Sequence, residues 1–65
     1  MNVSYFSDTD TLYIEFCAKH VSETRDFDEG TILDLDSNGR VVAITLEHAS
    51  ERTDIKQVTL SGIAT

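Results

Sequence analysis

Two runs of alternating apolar and polar residues meet at Asn38-Gly39 in the stretch Thr31 to Glu47, TILDLDSNGRVVAITLE, and no other segment restricts the fold as much. An Asn-Gly pair suits a two-residue type I′ turn, in which both central residues take positive φ and the twist matches that of the flanking strands. Such a turn sets Ser37 opposite Arg40, Leu35 opposite Val42, Leu33 opposite Ile44 and Thr31 opposite Leu46. The apolar residues of both strands then fall on one face, so turn chemistry and burial pattern agree.

The rest of the chain reads as further short strands. Asn2 to Phe6 is β-branched and aromatic and ends in the turn formers Ser7-Asp8-Thr9-Asp10. Thr11 to Cys17 alternates, so the two segments predict a hairpin with Tyr5 opposite Leu12 and Val3 opposite Ile14. Val21 to Phe27 is a more polar strand, bounded by Asp28-Glu29-Gly30. A two-residue turn there sets Arg25 opposite Asp34 and Phe27 opposite Ile32, and a one-residue bulge would change that pairing. Ala49 to Asp54 suits a single helical turn capped by Ser50. Val58 and Leu60 suggest a last strand within Ile55 to Ile63, although Ile55 and Val58 would also fit an amphipathic helix. The expected architecture is mainly β: an antiparallel meander of five to six short strands in one small domain, residues 1–65, with at most a short helical turn near the C-terminus.

At 65 residues such a domain buries only about 60% of its unfolded surface and is marginally stable. One cysteine, Cys17, cannot form an intrachain disulfide, and the separated His20 and His48 do not make a zinc site. The core must come from packing or from a second copy, which makes a homodimer or a dedicated partner the expected state. The formal net charge of −7 repels phosphate and argues against direct nucleic-acid binding. A basic protein partner fits better. Met1 to Asp10 lacks a basic start and a long apolar run, so no signal peptide or membrane anchor is expected, and the expected location is cytoplasmic.

By alternation, Val3, Tyr5, Leu12, Ile14, Phe16, Leu33, Leu35, Val42, Ile44 and Leu46 form a first, apolar face. The second face carries Tyr13, Glu15, Arg25, Phe27, Ile32, Asp34, Asp36, Val41, Ala43 and Thr45. From it the candidate interaction surface is Tyr13, Arg25, Phe27, Ile32, Asp34, Asp36, Val41 and Ala43, since aromatic anchors ringed by charge are what interfaces use; the equal alternative is that Ile55 to Ile63 fold back to cover this face within the same chain. Residues 34–39, DLDSNG, match the opening of a calcium loop, but Thr45 stands where the bidentate glutamate belongs and both flanks alternate like strands. The alternative function is a small protein binding a divalent metal or other ligand through Asp34, Asp36 and Glu15. Cys17 with His20 and His48 with Ser50 are close only in sequence, with no orienting acid or oxyanion-hole motif. No catalytic residue, cofactor or resident metal is assigned, and the chain reads as non-enzymatic.

YFSDTDTLYIEF near the start and VSETRDFDEGTILDLDSNGRVVAITLEHAS through the middle together resemble the small prokaryotic proteins classed as domain of unknown function 2283. The shared pattern is a tyrosine and acidic turn before a Leu-Tyr-Ile strand, then a Glu-Thr strand, a glycine, an Asp-x-Asp turn ending in glycine, and Ala-Ser after the last apolar strand. The resemblance spans residues 1 to about 52 and leaves the tail outside. Phe6-Ser7 departs from the Asp-Pro common in the family's first turn. What the resemblance implies is a small cytosolic protein with no assigned activity, and an antitoxin-like role by association, since some members lie beside genes for small toxins of the RelE-like ribonuclease kind.

Overall fold

A computed structural model describes residues 1–53, and the strand expected within 55–63 lies outside the described residues. Five strands form one antiparallel sheet: β1 (Asn2–Phe6), β2 (Thr11–Glu15), β3 (Glu23–Asp28), β4 (Thr31–Leu35) and β5 (Val41–Leu46). One helical turn, α1 (Ala49–Arg52), follows β5. The mainly β fold with its short helical turn is therefore the one expected.

Strand order along the sheet is β1-β2-β5-β4-β3. Chain order is thus kept within the β1-β2 hairpin and within the β3-β4-β5 meander, and broken between β2 and β3. Burial explains the break. All six residues of β3 are exposed, and a strand of sequence ETRDFD has little to offer a central position, so it lies at an edge. β5 carries two consecutive buried residues, Val42 and Ala43, and occupies the centre between β2 and β4. Placing β5 against β2 sets Leu46 opposite Leu12 and Ile44 opposite Ile14, which continues the apolar face across the sheet.

Four expected pairs form: Val3 with Ile14, Tyr5 with Leu12, Leu33 with Ile44 and Thr31 with Leu46. The central turn differs. Gly39 has φ +79, but Asn38 is not among the residues with positive φ, so the turn is not type I′. The Gly39 N–H donates to the Asp36 carbonyl (3.0 Å) and the Asp36 N–H to the Arg40 carbonyl (2.9 Å), closing a three-residue loop with glycine in the left-handed position. The Asp36 side chain accounts for the difference: its Oδ1 accepts from the N–H groups of Asn38 (2.8 Å) and Arg40 (3.0 Å), which wraps the backbone around the carboxylate. The longer loop displaces the register next to it, so Leu35 pairs with Val41 rather than Val42, with a bulge at that point of β5.

A second bulge resets β3. The two-residue Glu29-Gly30 turn leaves Asp28 opposite Thr31 as expected, and Gly30 takes φ +88. Phe27 then drops out of the ladder, so Asp26 faces Ile32, Arg25 faces Leu33 and Thr24 faces Asp34. The expected Arg25–Asp34 and Phe27–Ile32 pairs do not form.

The buried core is Leu12, Leu35, Val42, Ala43 and Ala49, with Leu12 1% exposed and Ala49 fully buried. α1 sits at the end of the sheet that holds the β1-β2 and β3-β4 turns, because Ala49 bonds to Asp10 and Arg52 to Gly30, contacts described below. Among the described residues no helix is long and apolar enough to cross a membrane.

Candidate functional site

The second face is built by register. Tyr13 pairs with Ser4 on one side and Thr45 on the other, and Thr45 pairs with Ile32, which faces Asp26. The adjacent row runs Asn2, Glu15, Ala43, Asp34 and Thr24. Tyr13, Ile32, Ala43 and Asp34 of the expected surface therefore come together, with Glu15 beside them. Ala43 has no exposed surface, and it lies between Glu15 and Asp34 on neighbouring strands. Those two carboxylates are held in place by hydrogen bonds: Asn2 Nδ2 donates to Glu15 Oε1 (3.1 Å) and Thr24 Oγ1 to Asp34 Oδ1 (2.9 Å). Burial, and then the negative charges of Glu15 and Asp34, push the Tyr13 phenol above its ordinary pKa. Tyr13 thus stays protonated and able to donate at the centre of an acidic face.

The other four expected surface residues lie elsewhere. Arg25 faces Leu33, on the apolar face, and its guanidinium holds Glu23 at 2.9 and 2.6 Å. The bulge in β3 removes Phe27 from the ladder and leaves it 70% exposed. Val41 is opposite Leu35 because of the bulge in β5. Asp36 is a turn residue, buried at 8% exposure. Sequence alternation could not place these four, because each lies at or beyond a shift of register.

At the opposite end from the Asp36 turn, Asp10 and Ser50 form a polar cluster with Tyr5. Asp10 Oδ1 accepts from the Tyr5 hydroxyl (2.6 Å) and the Ser50 N–H (3.1 Å), and Oδ2 accepts from the Ser50 hydroxyl (2.7 Å). The Asp10 carbonyl accepts from the Ala49 N–H (2.9 Å). Ser50 is therefore not the cap of α1. His48 occupies that position in a left-handed conformation with no side-chain bond, and the helix start is capped by Asp10 from the β1-β2 turn. Hydrogen bonds from Tyr5 and then Ser50 hold the Asp10 carboxyl below the ordinary carboxylate range, and the same bond pushes the Tyr5 phenol up. Arg52 completes the attachment of α1: Nη1 donates to the carbonyls of Gly30 (2.7 Å) and Glu47 (3.3 Å), and Nη2 to Thr31 Oγ1.

A family model described as protein of unknown function (DUF2283) matches residues 2–50. The chain belongs to the DUF2283 family. No curated protein and no solved structure was found to match it. The motif residues by which the sequence resembles DUF2283 have visible work in the fold. Its tyrosine, acidic turn and Ala-Ser are Tyr5, Asp10, Ala49 and Ser50, joined in one cluster. Its Asp-x-Asp turn ending in glycine is the loop that Asp36 and Gly39 shape.

The same geometry bears on the metal-binding alternative. Backbone N–H groups of Arg40 and then Asn38 hold the Asp36 carboxyl below its ordinary pKa; they occupy Oδ1, and Oδ2 lies 4.0 Å from Lys19 Nζ. Glu15 and Asp34 lie two strands apart, about 9 to 10 Å between backbones. Among the described residues no group of three His, Cys, Asp or Glu side chains is placed to hold a metal.

Proposed function

We propose that this DUF2283 chain is a non-enzymatic interaction protein of the cytoplasm that receives a basic protein on the face formed by Tyr13, Glu15, Ile32 and Asp34, around the buried Ala43. One observation carries the reading: among the described residues, register assigns Glu15, Asp26 and Asp34 to that face and no lysine or arginine. A half-buried tyrosine and isoleucine supply apolar contact at the centre, with acids around them, which is the arrangement by which interfaces combine affinity with partner selection. The net charge of −7 adds long-range attraction for a basic partner. An antitoxin-like role, neutralising a small basic ribonuclease, is the specific form of this reading.

Capture from a lysate of the native host, at low and at high salt, tests it. The expected result is a stoichiometric basic protein retained at about 50 mM salt and released toward about 1 M, where the screening length falls to about 3 Å. Capture of no basic protein under either condition would reject the proposal.

A further inference from the structure

The two edges of the sheet are unlike. β3 is protected as edge strands commonly are, by the charges of Glu23, Arg25, Asp26 and Asp28 and by the bulge at Phe27. β1, of sequence NVSYF, has no charged residue, no proline and no bulge, and all five residues pair in unbroken register with β2. On its other side β1 has no neighbouring strand among the described residues. This uncharged, unbulged edge is where two copies can approach without setting like charges directly opposite each other.

We propose that β1 pairs with β1 of a second copy, antiparallel about a two-fold axis at Ser4, to give a continuous ten-stranded sheet. An isologous contact must be self-complementary, and this one is. Val3 of one copy meets Tyr5 of the other, on the face that already carries their partners Ile14 and Leu12, so the apolar face runs unbroken through the axis. Asn2 meets Phe6 on the second face, and this covers part of a side chain that is 51% exposed in the single chain. Tyr5 is held for this contact by its bond to Asp10. The dimer joins edges and leaves the acidic face of Tyr13 and Asp34 open, so it stands or falls separately from the basic-partner proposal.

Light scattering across a concentration series tests the contact. The native chain is expected to have twice its monomer mass. Ser4→Lys, which sets two ammonium groups across the axis at an exposed position, is expected to give a monomer with an unchanged circular dichroism spectrum. Ser4→Cys in a Cys17→Ser background is expected to cross-link with itself on oxidation, because residues directly opposite in antiparallel strands have Cα atoms about 4.5–5.5 Å apart, within disulfide reach. A native monomer at all concentrations, a dimer that survives Ser4→Lys, or a folded Ser4→Cys chain that does not cross-link would each overturn the proposal.

Discussion

Asp10 and Ser50, 40 residues apart in the chain, are joined by two hydrogen bonds, 2.7 Å between side chains and 3.1 Å from the Ser50 N–H. Through them the turn after the first strand caps the only helical turn among the described residues. A four-residue helix has no independent stability, so what holds α1 at the end of the sheet is this bond pair together with Arg52. Ser50→Ala should lower stability by about 1 kcal/mol, the ordinary worth of one hydrogen bond, read as a lower urea midpoint at unchanged slope.

Acid should loosen the fold through two carboxyls. Tyr5 and Ser50 lower the pKa of Asp10, and the N–H groups of Arg40 and Asn38 lower that of Asp36. A group whose folded pKa lies below its unfolded value stabilises the fold above about pH 4, and that contribution is lost as pH falls through the folded value. Urea midpoints should therefore drop as pH falls below about 5 and keep falling through the folded values. Asp36→Asn keeps an oxygen for both N–H groups but has no charge to lose, so its midpoint should fall less steeply over the same range.

Gly30 combines two constraints. Its φ of +88 disfavours any side chain, and a Cβ would meet Arg52 Nη1 at 3.4 Å, at the group that binds the Gly30 carbonyl. Gly30→Ala should cost about 1–2 kcal/mol from the backbone alone. Gly39→Ala, at φ +79 with open space around it, should pay only the backbone part. Urea midpoints of the two variants, compared with that of Arg52→Lys, separate strain from loss of the Arg52 contact.

Leu12, 1% exposed, is the largest fully buried side chain of the small core. Leu12→Ala should remove about 2–5 kcal/mol, a large part of what a domain of this size holds. Thermal unfolding followed by circular dichroism should show a much lower midpoint or a chain already unfolded at 25 °C.

The fold was legible where alternation ran without interruption. Asn2 to Phe6 against Thr11 to Glu15, and Leu33 against Ile44, pair as the pattern requires. Legibility ended at the two bulges, because one extra residue moves every later side chain to a different partner, and nothing in DFDEG or SNGRVV marks the insertion. That is why Arg25 and Val41 were expected on the wrong face. The Asp10–Ser50 bond was hidden for another reason: it joins two turns distant in sequence, and local capping rules favour Ser50 itself. The position of β5 beside β2 follows only once β3 is seen to be too polar for the interior of the sheet.

The acidic face is tested most directly by capture from the native host with the chain as it stands and with a Glu15→Lys, Asp34→Lys double variant, each weighed against total captured protein by mass spectrometry. Both positions are partly exposed in the sheet, so the fold should survive, which a circular dichroism spectrum checks. The predicted result is a stoichiometric basic protein held by the native chain and lost by the variant. An equal yield of that protein with both chains, or no basic protein with either, would contradict the account.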